Sequence, residues 1–423
     1  MTQTPTPVAE GSTAPSDLQD ERLIRPVGFR ENVAAQVKRV RTGDLGALPV
    51  IIGLLIISVI FQIISPIFLG AENIGTIILL YCAPVGVIAV GIVLVLLLGQ
   101  IDLSVGSMSG LAAAIFAVVY INGHLPEWLV IIIALAIGVL VGLVYGFLFI
   151  RFSVPSFVIT LAGLLSLLGV QLAVLGPVGD FNIPTTSFIV QLGQAWYLPP
   201  VIAYILVVIS AGGYFLAGVL RIRARDKAGL STPGYTGLIV RAALLLVGLA
   251  VLVTYLDSYV NGGVATSFAF LVVLVVIMNY ALTRTRWGRD VFAVGGNVEA
   301  ARRAGIRVNR VYLSVFVLTS FFAALGGLMA MGQLGEATQS SGTGNVNLDA
   351  IAAAVIGGTS LFGGRGSAWS ALLGILVIEA IQSGLDLMNL NADWQFIITG
   401  LVLLVAVVVD SLSRRSRVAA GRA

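Results

Sequence analysis

An all-α, polytopic transmembrane helical bundle of about twelve spans (ten to twelve), with the N and C termini cytoplasmic, is the fold this sequence predicts. Three observations predict it. Long apolar runs recur along nearly the whole chain, charged residues are only 10% against 58% hydrophobic ones, and the basic residues gather on one side of the runs. A soluble domain carries about 25% charged residues, so most of this chain cannot face water. The mean hydropathy is +1.02, and the 49 glycines suit helices that approach closely in lipid.

Taken in order, residues 1–46 form a cytosolic tail. Its Thr-, Pro-, Ser- and acid-rich start reads as disordered and lacks the early apolar core of a cleavable signal peptide. Arg22, Arg25, Arg30, Lys38, Arg39 and Arg41 then lead to the first apolar run. A span needs about 20 mostly apolar residues to cross the bilayer core. Such runs fall at 47–69, 74–99, 103–121, 128–150, 155–176 and 199–220 in the first half. In the second half they fall at 238–256, 264–283, 311–333, 348–362, 367–388 and 394–412. The run at 348–362 is short and reads as a partial or re-entrant helix, tolerable where it packs inside protein or lines a cavity. The membrane domain is thus 47–412, interrupted by a long loop at 284–310 and followed by a cytosolic tail at 413–423.

Charge placement tests this reading independently, because basic residues stay in the cytosol. Besides the six before the first run, Arg and Lys fall at Arg151, at 221–241, at 284–310, at Arg365 and after residue 413. Alternating spans put all of them on one side. The opposite loops carry Glu72, Glu127, Asp180, Asp257, Glu336, Asp349, Asp386 and Asp393, with no Lys or Arg. For Arg221, Arg223, Arg225, Lys227 and Arg241, orientation alone is a sufficient reading.

Several chemistries are excluded. The single Cys82 lies in an apolar run and allows neither an intramolecular disulfide nor a Cys-based metal site. The single His124 sits in a short loop as a solvated residue. A phosphate-binding loop needs Gly-Lys followed by Ser or Thr, and neither Lys38 nor Lys227 follows a glycine. The chain therefore has no nucleotide site, no catalytic residue, no metal and no cofactor of its own.

The loop at 284–310 carries more than orientation. Asn297 is a good helix N-cap. Glu299 suits the positive end of the helix dipole, and Arg302 and Arg303 suit the negative end. Gly305 can take the left-handed conformation that ends a helix. A short capped helix at 297–305 follows. In this position Glu299-Ala300-Ala301-x-x-x-Gly305 resembles the EAA motif of ABC importer permeases, whose helix docks in a cleft of the ATPase subunit.

Further stretches resemble the ribose, xylose and galactose permeases of that class: Gln100-Ile-Asp102-Leu-Ser104-Val-Gly106-Ser107, Val154 to Gly163, and Ala353 to Leu361. The extra pair of spans around the basic loop 221–241, with Leu198-Pro-Pro200 and Arg225 to Leu230, is similar to the xylose permeases. The resemblance implies a permease subunit in the inner (plasma) membrane for a sugar, D-xylose or another pentose. It also implies a second permease copy, an ABC ATPase subunit carrying ATP and Mg2+, and a soluble periplasmic or extracellular sugar-binding protein. The last would dock on the acidic loops at 177–198, 257–263 and 334–347, and nucleic acid is not an expected partner.

Polar residues inside apolar runs are functional by default. Asp102 heads them, read either as a mid-span carboxylate facing protein or water, or as a cap with Ser104 where the third span starts. Thr359, Ser360 and the glycines through Ser367 form a similar polar break, loosely like Gly99–Ser107, which hints at an internal repeat. Glu379 and Gln382 share a helix face and would line a pathway or satisfy each other. The rival readings are an ion-coupled secondary sugar transporter, with Asp102 or Glu379 carrying the proton, and a non-transporting scaffold or receptor.

Overall fold

The computed structural model describes residues 48–391 apart from 229, 231, 233 and 259–262, together with scattered positions from 393 to 411. The tails 1–46 and 413–423 lie outside the described residues, as do nine positions of the run at 394–412. Every other expected run is a helix. In chain order these are α1 Leu48–Ile64, α2 Leu79–Leu97 (entered through a π-helical turn, Asn73–Ile78), α3 Val105–Gly123, α4 Glu127–Phe152 and α5 Ser156–Leu175. After them come α6 Phe188–Val190, which continues as a π-helical turn Gln191–Ala195, then α7 Pro200–Lys227, α8 Tyr235–Asp257 and α9 Thr266–Arg284. Next are α10 Arg286–Gly296, α11 Val298–Arg303, α12 Val308–Leu334, α13 Val346–Ile356 and α14 Trp369–Leu387.

Nine helices among the described residues are long and apolar enough to cross a membrane. The two shorter ones, Leu48–Ile64 and Val346–Ile356, fall on the expected runs 47–69 and 348–362. At 1.5 Å per residue the eleven residues of α13 reach only about half of a 30 Å core. The short run is thus a partial helix, as its length predicted. The long loop at 284–310 departs from expectation: besides α11 it holds a second helix, α10.

The chain divides into two compact units. In one, α7 and α8 pair within residues 199–254. Tyr204 and Thr254 share a 2.8 Å hydrogen bond between side chains, and Leu238 packs into the notch left by Gly218. Most apolar side chains of this pair are exposed, as lipid-facing helices require.

The other unit, residues 45–198 and 255–423, holds the core. Helix α2 is apolar all round and almost wholly buried, the pattern of a central helix. Lipid tails are as apolar as leucine, so close approach of small residues decides packing here. Helix α4 presents Gly138, Gly142 and Gly146, four residues apart, to α12. A methyl on Gly138 would lie 2.8 Å from the Ser320 carbonyl, and one on Gly146 would lie 3.1 Å from Leu313 Cα. Descending partner numbers make the pair antiparallel. On another face of α12, Thr319 Oγ1 donates to the Gly91 carbonyl of α2 at 3.0 Å. A two-residue antiparallel pairing, Phe181 with Ala337 and Asn182 with Glu336, ties the segment after α5 to the end of α12.

Candidate functional site

The first polar break follows α2. Asp102 is not mid-helix; it lies in the turn between α2 and α3, only 1% exposed. Its Oδ1 accepts from the Ser104 N–H at 2.8 Å and from the Ser104 hydroxyl at 2.7 Å. Ser104 occupies the N-cap position of α3, but its side chain makes no cap bond. The carboxylate serves this turn instead, as short acidic side chains do when they compete for nearby backbone N–H groups. Burial pushes the Asp102 carboxyl up, and the two Ser104 donors pull it down. Asp102 Oδ2 and the Tyr145 hydroxyl lack hydrogen-bond partners among the described residues.

The rest of this turn is held from α5. Ser156 Oγ accepts from the Ile101 N–H at 3.3 Å, and Thr160 Oγ1 accepts from the Leu103 N–H at 3.1 Å. Both hydroxyls belong to the Val154–Gly163 stretch, so two separately noticed sequence stretches are one structural clamp. Gln100 is half-buried in the turn and Ser107 is buried in the first turns of α3.

The second break joins α13 to α14. Thr359 and Ser360 are buried. The Ser360 N–H donates to the Arg365 carbonyl at 3.0 Å, and Ser360 Oγ accepts from the Phe362 N–H at 3.3 Å. The two breaks, which the sequence relates only loosely, touch each other. The Gly364 N–H donates to the Leu97 carbonyl at 2.8 Å. A methyl on Gly363 would lie 2.9 Å from the Gly99 N and 2.8 Å from the Gly295 carbonyl. Gly99 and Gly364 have φ of +68° and +72°, which a side chain would also resist. Gly295 abuts the Leu97 carbonyl and Gly364 N. Three backbone segments meet here with no side chain between them.

Gly295 and Gly296 end α10, so this junction is the root of α11. Asn297 swings out with φ of −159° and caps α11 by accepting from the Ala300 N–H at 2.9 Å. Glu299, Ala300, Arg302, Arg303 and Gly305 are exposed, while Ala301 is buried against the bundle. The Arg302–Glu299 ion pair spans 3.2 Å with both side chains more than half exposed, so it contributes little to stability. Gly305 has φ of +81° and ends the helix. The alanine pair therefore faces two ways, Ala301 inward and Ala300 outward.

A third polar group lies along α14. Gln382 does not pair with Glu379; its Nε2 donates to Asp349 Oδ2 of α13 at 3.3 Å. Ser383 donates to Asn73 Oδ1 at 3.0 Å. Glu379 is 8% exposed and sits within electrostatic range of Asp349 and Asp386.

Two contributors had escaped notice in the sequence. Gln171, fully buried on α5, donates through Nε2 to the carbonyls of Ser341 at 2.9 Å and Thr338 at 3.2 Å. It thereby satisfies irregular backbone after α12, which lipid could not do. Asn347 Oδ1 accepts from the Gly106 N–H and fastens α13 to α3. The available signal was a polar side chain within or beside an apolar run, the same signal that marked Asp102.

Comparison with known proteins gives this framework a family. Residues 74–407 match the family model described as "Branched-chain amino acid transport system / permease component". The xylose transport system permease protein of Escherichia coli K12 is 37% identical over 351 residues, 82% of this chain and 87% of the relative. The fructose import permease protein of Rhizobium meliloti is 31% identical, covering 80% and 78% of the two chains. The ribose import permease protein of E. coli K12 is 29% identical, covering 85% and 92%. No solved structure gives a significant match. The chain is a helical, multi-pass membrane protein that belongs to the family of branched-chain amino acid transport system permease components, within the group that holds the xylose, ribose and fructose permeases.

Proposed function

We infer that this chain is the membrane-spanning permease subunit of an ATP-driven importer for a sugar, D-xylose or another pentose. The observation that carries the reading is α11. It is a six-residue helix capped at Asn297, displaying Glu299 and two arginines, and rooted in a junction that is backbone throughout. A permease that only carried its solute would need no such element. The xylose and ribose relatives supply the substrate class; the family description names amino acids, and uptake measurements decide between them.

In this reading both termini and α11 are cytoplasmic, and an ABC ATPase subunit holding ATP and Mg2+ docks on the exposed face of α11. A soluble binding protein delivers the sugar on the opposite side, and a second copy of the chain completes the path across the inner membrane. Movement of α11 passes through Gly295 to the Leu97 carbonyl and Gly364. Backbone packed on backbone has no rotamers to absorb displacement, so both polar breaks must shift with the helix. This chain forms and breaks no covalent bond.

The reading is tested by uptake of labelled xylose in cells carrying the complete importer, with leucine as the competing substrate class. Saturable xylose uptake that disappears without the ATPase supports it. Leucine uptake, or xylose uptake that persists without the ATPase and collapses with a protonophore, contradicts it. The second result would favour an ion-coupled transporter, for which the carboxyl of Glu379, buried within α14, is the specific supporting observation.

A further inference from the structure

One crevice in the bundle concentrates polar groups that the site described above does not use. Its walls come from α2, α6 with the π-helical turn that continues it, α9 and α12. Ser267, the second residue of α9, is 3% exposed, and its Oγ has no hydrogen-bond partner among the described residues. Gln333, the last residue but one of α12, likewise has a buried Nε2 without a partner. Both residues line this crevice. So do Leu80 and Pro84 of α2. Pro84 stands inside the helix and has no N–H to give the Leu80 carbonyl four residues back. Leu192 and Met329 supply apolar walls. Gly193 lets the turn pack against Gln333, since a methyl there would lie 2.6 Å from the Gln333 N.

Leaving a buried donor unsatisfied is costly, and native proteins keep few such donors. Two in one crevice, beside a carbonyl that a proline has deprived of its usual donor, form a set waiting for a partner. The set selects the partner's chemistry. A hydroxyl accepts from Gln333 Nε2 while donating to Ser267 Oγ or the Leu80 carbonyl. A carboxylate would leave the carbonyl unanswered, and an ammonium would meet the amide N–H with the wrong sign. Among the described residues no charged one lines the crevice, so a zwitterionic amino acid finds no counter-ion among them.

We propose that Ser267, Gln333 and the Leu80 carbonyl released by Pro84 form a subsite for one hydroxyl group of a neutral, polyhydroxylated solute. It deepens, and rests on, the sugar-import reading above. In the orientation given there, the crevice lies toward the outer ends of α9 and α12, on the side from which the solute is delivered. As it stands the crevice has no room for a water-sized group, so the subsite requires its walls to part.

The test is uptake by the complete importer of D-xylose and its 2-, 3- and 4-deoxy analogues, with wild type, Ser267→Ala, Gln333→Met and Pro84→Ala. The last variant supplies the missing N–H to Leu80 without touching either side chain. Each variant is expected to lower xylose uptake at limiting sugar about fivefold, the worth of one hydrogen bond. Each should leave uptake of one deoxy analogue, the same one throughout, at the wild-type level. Normally inserted variants that discriminate xylose from all three analogues as wild type does would overturn the subsite while leaving the importer reading intact. So would variants that lose only thermal stability, the mark of a site for structural water. Should the side-chain variants fail to insert, Pro84→Ala decides alone by the same criterion. A wild-type importer that takes up leucine and no sugar would instead defeat the reading beneath it.

Discussion

The two polar breaks in the bundle do similar work with different chemistry. After α2, the turn is fastened by side chains: Asp102 holds Ser104, and Ser156 and Thr160 hold the backbone of residues 101 and 103. After α13, the turn is fastened mainly through backbone, with Gly363 and Gly364 pressed against Gly99, Leu97 and Gly295. The first arrangement fixes a local conformation and can be weakened one hydroxyl at a time. In the proposed reading the second transmits position, and it fails when a methyl is forced into one of these close approaches. The contrast separates residues that hold the fold from residues that pass movement through it.

The largest expected effect breaks the second arrangement. Gly295→Ala forces a methyl onto the Leu97 carbonyl, and overpacking of this kind costs about 1–3 kcal/mol. Sugar uptake should fall roughly tenfold or more on that scale, with the ATPase still co-purifying because the outer face of α11 is untouched. Gly296→Ala is the control one residue away, where an added methyl meets nothing within 4 Å, and its uptake should match wild type. Equal loss in both variants would mean that α10 is merely intolerant of change at its end.

Gly364→Ala comes next. It combines the close approach to Gly296 Cα, 3.0 Å from the added methyl, with a φ of +72°. The left-handed conformation alone costs about 1–2 kcal/mol for a residue with a side chain. Uptake should fall several-fold, and a wild-type rate would show that the junction yields more easily than its geometry says.

Breaking the first arrangement should lower stability more than it alters coupling. Thr160→Val leaves the half-buried Leu103 N–H without its partner, at a cost of about 1 kcal/mol. Thermal unfolding in detergent should report the loss, while uptake per inserted molecule stays near wild type. A coupling defect without a stability defect would put the α2–α3 turn among the moving parts. At the bottom of the scale, Arg302→Ala removes one exposed ion pair, and its melting curve should superimpose on wild type.

Much of this was legible in advance because it is local. Apolar runs of about twenty residues defined the spans, and the shortness of 348–362 marked a partial helix. The Asn297 cap and the Gly305 stop follow from the conformational preferences of those two residues. Helix α10 was not legible: Arg286-Trp-Gly-Arg-Asp mixes charge and glycine in a way that reads as loop until Thr285 caps it through the Gly288 N–H. The junction was hidden for another reason. Gly99, Gly295 and Gly364 are far apart in sequence, and a glycine among 49 carries no mark of what backbone it will touch. Glu379 and Gln382 were correctly placed on one helix, but spacing could not show that Gln382 turns to Asp349.

The central claim, that energy enters through α11 from an ATP-hydrolysing partner, is tested most directly by co-purifying the ATPase with Glu299→Lys permease from native membranes. The variant reverses one exposed charge and leaves the Asn297 cap and the glycine root intact. The account predicts permease at the wild-type level in the membrane, with the bound ATPase largely lost. Wild-type recovery of the ATPase, with unchanged xylose uptake in the same cells, would contradict it.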